Sequence, residues 1–474
     1  MMSSFNAFKF VEEIHILKRL AIVAVIFFLM TVLHYSTLIR ESDASVFSIT
    51  LLGFMLILSY NLGRILVRFH LPKLTIYMIS GLLCGPFITG FVTHEVISNL
   101  KFVDNLALSL IAFIAGGEMR LNDLMRLKKT LVGISGYETI YVMILCTAVF
   151  ALCSPFIGFM SGQSWLFVGC VSLLVGTVLV ANSPAVTIGI IGEYGSKGDL
   201  TEAVLGTVVL KDIIVIVLFA AVFGAVSVFI APNTVVDFRS IFLHVSYEII
   251  VSVFVGVAMG GLIWLYLRYV GEQNVLFILG AAFMSYELAV HYELEVLLIG
   301  LSAGFVVQNF TKQGEELIRR TEQSLPVVYP VFFSIAGAKM NLEALMSMWF
   351  LALALVAVRL VGIYYGSRTG ARLSKSPAAV QKYAWMGLVS QAGVALGFAI
   401  VIGRRFPEWG TQLETLIIAV VGINQLAGPV FLKYALEKAG EIPKSAEETT
   451  TIINLALDDE EIRNEESEVV MGGS

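Results

Sequence analysis

The chain has 474 residues, 57% hydrophobic and only 14% charged, with a mean hydropathy of +0.85. Soluble domains carry about 25% charged residues, so this composition excludes a soluble enzyme or a nucleic-acid-binding module and points to a polytopic, all-α membrane protein. The formal charge of −5 hides two parts: residues 439–474 hold ten acids against Lys444 and Arg463, and the rest of the chain is net positive.

Fourteen apolar runs are candidate spans: 17–38, 46–69, 73–93, 98–117, 128–153, 163–191, 200–228, 241–270, 274–290, 294–310, 325–340, 344–370, 380–403 and 411–437. Glu12 and Glu13 precede the first, which lacks a small-residue cleavage site and is expected to be an ordinary span rather than a leader. An even number of spans puts both termini on one side. With the termini in the cytoplasm, the inside segments hold 23 Lys and Arg and the outside segments six, leaving Lys211 and Arg359 within the membrane. That asymmetry follows the positive-inside rule. Cys84, Cys146, Cys153 and Cys170 lie in or beside apolar runs and read as small core hydrophobes.

Two of the runs are interrupted. In the sixth, Asn182-Ser183-Pro184 removes a backbone donor and disfavours helix at Ser183. In the thirteenth, Ser390-Gln391-Ala392-Gly393 falls at mid-span. Non-helical backbone at that depth is tolerated only against protein or a wet cavity. The two runs cross the membrane in opposite senses, the pattern of an inverted-repeat transporter with its site at the midplane.

The seventh run, 200–228, carries Lys211 and Asp212 about 11 residues from its start, roughly 17 Å deep. A charge at the centre of a membrane helix costs roughly 2.5–3.5 kcal/mol even on insertion scales, so such a pair marks a functional site or a structural ion pair. Loss of solvation favours the protonated form of a carboxylate, which lets a proton and a cation compete for one group. Asn182, Ser183 and Gln391 offer further oxygens, and Arg359 offsets the negative ends of the half-helices. Lys211 has two expected roles: a fixed charge, or a second proton carrier. Glu118, beside Arg120, is expected in an ion pair. Glu248 is a candidate partner for Arg359, and Glu287 is a possible accessory group. His291 reads as an interfacial histidine. No metal-ligand spacing, nucleophile elbow or phosphate loop stands out, so neither enzyme activity nor a cofactor is expected.

The segments LPKLTIYMISGLLCGPF (71–87), LSLIAFIAGGEMRLNDL (108–124), SYELAVHYELEVLLIGLSAGFVVQN (285–309), PVFFSIAGAKMNLEAL (330–345) and WFLALALVAVRLVG (349–362) occur in an order that resembles the monovalent cation:proton antiporters, the sodium/proton exchangers and their potassium-efflux relatives. The resemblance covers about residues 46–437 and implies exchange of Na⁺ or K⁺ for protons at Asp212, by alternating access, in a homodimer within membrane lipid. It identifies 1–437 as a transmembrane antiporter domain. Residues 17–127 are then mostly scaffold and dimer helices with an extra first helix, 128–228 and 344–437 are inverted repeats, and 438–474 form an acidic cytoplasmic tail. A bacterial inner membrane with both termini cytoplasmic is the implied setting. The chain departs from the family at Lys211, where relatives have Asp, Asn or Gln, and at Ser183, where many carry an acid. The alternative expectation is a non-exchanging sensor or channel-like protein with a locked Lys211–Asp212 pair, or an anion carrier using Lys211 and Arg359.

Overall fold

The computed structural model describes residues 18–32, 44–66, 69, 71–230, 238–270 and 274–443. The acidic tail beyond 443, residues 17 and 33–38 of the first run and residues 67–68 of the second lie outside the described residues. The described part is helical. The chain begins with α1 (18–32), α2 (Ala44–Leu66), α3 (Lys73–Cys84), α4 (His94–Asn99), α5 (Lys101–Glu118) and α6 (Leu121–Cys153). It continues through α7 (Trp165–Leu179), α8 (Pro184–Tyr194), α9 (Asp199–Ile230), α10 (Phe238–Tyr269), α11 (Asn274–Tyr292) and α12 (Val296–Phe310). It closes with α13 (Gly314–Glu322), α14 (Leu325–Ala338), α15 (Leu342–Ser347), α16 (Trp349–Leu373), α17 (Ala378–Gly387), α18 (Gly393–Arg405) and α19 (Gly410–Ala439).

Among the described residues, seven helical stretches are long and apolar enough to cross a membrane, with four shorter apolar helices beside them. The other predicted runs fall short of that measure for visible reasons. Helix α5, which holds most of the run 98–117, carries Lys101, Asp104 and Glu118 among its 18 residues, and 380–403 is divided between α17 and α18. The protein is an integral, multi-pass membrane protein.

The helices pack as two groups. In one, α6 to α9 lie with α16 to α19, and the α6–α16 pairing is the most extensive in the molecule. In the other, α5 packs on α12, α3 on α14, and α10 on α12. The groups meet where α9 contacts α10 and where α8 contacts α3 and α5. Glu193, near the end of α8, fixes that junction by accepting the first backbone N–H groups of α3, Lys73 at 2.7 Å and Leu74 at 3.2 Å. Between lipid-soluble helices it is small residues, rather than the hydrophobic effect, that permit close association. Gly366 of α16 shows this: a Cβ there would lie 2.5 Å from Glu138 Cα of α6.

Candidate functional site

Both interrupted runs are broken helices. The first half of the sixth, α7, starts at Ser164, whose side chain accepts the Phe167 N–H. It unwinds after Leu179 and resumes as α8 at Pro184, a residue well suited to a first helical turn because its missing N–H would be unsatisfied there anyway. Ser183 caps the second half by accepting the Val186 N–H at 3.3 Å. The other run unwinds between Gly387 and Gly393. The two unwound segments touch directly, with Ser183 N–H donating to the Ser390 carbonyl at 2.9 Å.

At that contact the C-terminal ends of α7 and α17 leave carbonyls without helical partners, and Arg359 of α16 satisfies them. Its Nε donates to Leu179 O (2.8 Å), Nη1 to Val389 O (2.7 Å), and Nη2 to Ala181 O (3.0 Å) and Leu388 O (3.3 Å). A guanidinium with a fixed fork of donors suits this task, and its charge opposes the negative ends of both half-helices. Gln391 adds to the bracing: Nε2 donates to Ala181 O (3.1 Å), and Oε1 accepts Asn424 Nδ2 of α19 (2.8 Å). Asn182 Nδ2 donates to Leu388 O.

Four charged side chains are buried in this region, with exposures of 0% for Arg359 and Glu138, 1% for Lys211 and 5% for Asp212. Lys211 does not pair with its neighbour Asp212. Its Nζ bonds Glu138 Oε2 on α6 and the Val180 carbonyl (2.9 Å) at the first break. The alternative expectation of a locked Lys211–Asp212 pair is therefore corrected, and the helix itself explains why. Consecutive residues project about 100° apart, so the two side chains leave α9 on different faces. Asp212 Oδ1 is buried with no hydrogen-bond partner, as are Asn182 Oδ1 and Asn424 Oδ1. Glu295, at the start of α12 in the opposite helix group, is a carboxylate within electrostatic reach of Asp212.

The remaining predicted residues fall elsewhere. Glu118 does not pair with Arg120, because α5 ends at Glu118 and the extended Met119 turns Arg120 toward Glu315 (3.0 Å). Glu118 instead hydrogen-bonds Glu322 of α13. Glu248 is not the partner of Arg359, whose donors all go to carbonyls; it lies near Glu295. Glu287 and His291 are exposed on α11. Sequence reasoning missed Glu138 and Asn424. Each is a polar residue deep in an apolar run, the same signal that singled out Asp212.

The two ends of this region differ. Toward the start of α9, the predicted cytoplasmic side, a cavity of about 510 Å³ is lined by Lys73, Glu118, Glu193, Lys197, Glu322 and Tyr329. It reaches Leu205, seven residues and about 10 Å of helix short of Asp212. Beyond Asp212, rings close the other end. Phe219 stacks on Phe398 at 3.9 Å, Phe223 meets Phe406 at 5.9 Å, and Trp409 joins Phe406 (4.6 Å) to Phe167 (5.5 Å).

Comparison with known proteins agrees with this architecture. The family described as sodium/hydrogen exchanger, transmembrane, matches residues 47–438. A probable Na⁺/H⁺ antiporter of Bacillus cereus, GerT, is 25% identical over 347 residues, covering 70% of this chain and 85% of that protein. An ammonium/H⁺ antiporter subunit of Alkalihalophilus pseudofirmus, AmhT, is 22% identical over 292 residues, 61% of this chain and 70% of that one. The sodium proton antiporter MjNhaP1 of Methanocaldococcus jannaschii at pH 8 shares the fold, with a TM-score of 0.60 at 16% identity over 84% of this chain and 99% of its own. With two broken helices in contact, a buried arginine bracing their ends and a match across most of its length, the chain belongs to the transmembrane sodium/hydrogen exchanger family.

Proposed function

We propose that this protein exchanges a monovalent cation, Na⁺ or K⁺, for protons, with Asp212 as the group the two occupy in turn. The observation that carries this reading is the unequal bonding of the four buried charges. Lys211, Glu138 and Arg359 are each bonded to protein, Glu138 through Oε2 to Lys211 although its Oε1 is unpartnered, while among the described residues no hydrogen bond or ion pair joins the Asp212 carboxylate to protein. A carboxylate needs something to balance it in a low-dielectric interior, and a proton or a cation serves equally. The free carbonyl oxygens of Asn182 and Asn424 are hard ligands suited to an alkali cation. The cavity on the α9 N-terminal side and the aromatic closure on the other fit one half of an alternating-access cycle, open to the cytoplasm of a bacterial cell.

Lys211, held by Glu138, stays protonated through the cycle in this reading. Exchange is then one proton per cation and indifferent to voltage, whereas moving one net charge would couple about 2.3 kcal/mol per 100 mV. An anion carrier is disfavoured because the donors of Lys211 and Arg359 are already occupied by protein oxygens.

The test is exchange in proteoliposomes, with a pH-sensitive dye reporting proton release on addition of Na⁺, K⁺, Li⁺ or ammonium. Exchange by the wild type and its loss in Asp212→Asn are expected; full exchange by that variant rejects the reading. An imposed membrane potential that accelerates exchange rejects the one-for-one stoichiometry.

A further inference from the structure

The helix that carries Asp212 is not capped by the residues just before it. Its first turn is capped by Glu441, which follows the last described helix of the chain. Glu441 Oε1 accepts the Leu200 N–H at 2.8 Å, and Oε2 accepts the Thr201 N–H at 2.8 Å and the Thr201 hydroxyl at 2.7 Å. The Glu441 carbonyl also accepts the Lys197 N–H at 3.1 Å, and its own N–H donates to Leu436 O at 3.1 Å. A carboxylate placed there satisfies orphan N–H groups and complements the positive end of the helix dipole.

Two glycines shape the clasp. Gly440 ends α19 with φ 72°, which turns Glu441 back toward α9. Gly198 passes beneath with φ 155°, and a Cβ there would lie 2.4 Å from the Glu441 carboxyl carbon. The helices so joined are α9, with Asp212, and α19, with Asn424 at the other break. Two residues further on, Pro443 lines the same cavity as Lys197 and Leu205.

We propose that Glu441 is a positioning residue for exchange: by capping α9 from the end of α19 it holds the Asp212 helix in register with α19. The proposal rests on the reading of Asp212 as the shared group.

The test uses the full chain in proteoliposomes, with Na⁺ as the probe and rates normalised to folded, reconstituted protein. Glu441→Gln is expected to raise the KM for Na⁺ about fivefold, the scale of a lost helix cap, and to move the pH of half-maximal exchange, while kcat changes less than about twofold. Thr201→Val removes one of the three bonds without changing charge and gives a smaller shift in the same direction. Gly198→Ala pushes on Glu441 from the other side and reproduces the Gln phenotype. Glu441→Asp restores part of the wild-type KM. The proposal is overturned if Glu441→Gln and Thr201→Val keep the wild-type KM and pH profile, even with a lower yield of folded protein. If Glu441→Gln does not fold, Thr201→Val and Gly198→Ala decide the matter by the same readouts. Should Asp212→Asn retain exchange, the Asp212 reading itself fails. Should that variant be dead while the clasp variants behave as wild type, only the clasp falls.

Discussion

Glu138 and Asp212 are the same kind of group in the same kind of place, and the protein treats them in opposite ways. Both lie deep in long apolar helices, and both are buried. Glu138 is held by Lys211 and pinned behind by Gly366, whose missing side chain lets α16 press against its Cα. Asp212 has no such partner and lies within electrostatic reach of another carboxylate, Glu295, which belongs to the other helix group. Burial alone therefore does not mark a transport group. A paired carboxylate specifies packing, and an unpaired one has to be balanced by something that arrives from outside.

The largest expected effect is at Asp212. Asp212→Asn keeps the volume and removes the charge, so exchange should fall at least about 100-fold while the purified protein stays monodisperse. Next comes Lys211→Met, which strands Glu138 in the interior. A lone buried charge of this kind destabilises by about 3–5 kcal/mol, visible as lost monodisperse protein in detergent. Adding Glu138→Gln should recover most of that loss. A Lys211→Met variant that is stable and wild-type in rate would erase the contrast between the two carboxylates.

Arg359→Lys sharpens the comparison by weakening the frame while leaving both carboxylates in place. An ammonium cannot span four carbonyls from two breaks, and each one left bare costs about 1–3 kcal/mol. Thermal unfolding should fall accordingly, with some exchange remaining.

The smallest effect concerns Glu322, whose carboxyl is pushed up to about 8 by burial and by its hydrogen bond and repulsion with Glu118, against a pull from Lys197. Glu193 and Tyr329 share the cavity with it. Because the folded state holds this proton more tightly than the unfolded chain, stability declines as pH rises from about 4.5 to about 8 and levels off above. Glu322→Gln should flatten that slope in thermal melts taken across the range. An unchanged slope removes Glu322 from the account.

Much of this architecture is written locally in the chain. Pro184 and the Ser390–Gly393 patch announce two broken helices because each acts on its own backbone. Pairing is another matter. The partner of Lys211 lies on α6, and it is the packing of α6 against α9 that brings Glu138 to it. Ser183 and Gln391 read from sequence as free oxygens. In the folded chain Ser183 Oγ accepts Val186 N–H and Gln391 Oε1 accepts Asn424, which leaves Asn182 and Asn424 with the open oxygens. Glu118 was read against its neighbour Arg120, but its partner Glu322 arrives from a helix some 200 residues later.

One consequence follows from Lys211 and Asp212 being consecutive on a single helix. Their separate surroundings depend on a rotation of about 100°, the angle that one residue contributes. A single insertion or deletion between Gly198 and Lys211 would swing the lysine off Glu138 and turn the aspartate from its present face. The length of this stretch is therefore held as tightly as the two charged side chains at its end. Among natural variants of the protein, an indel there should be the rarest tolerated event.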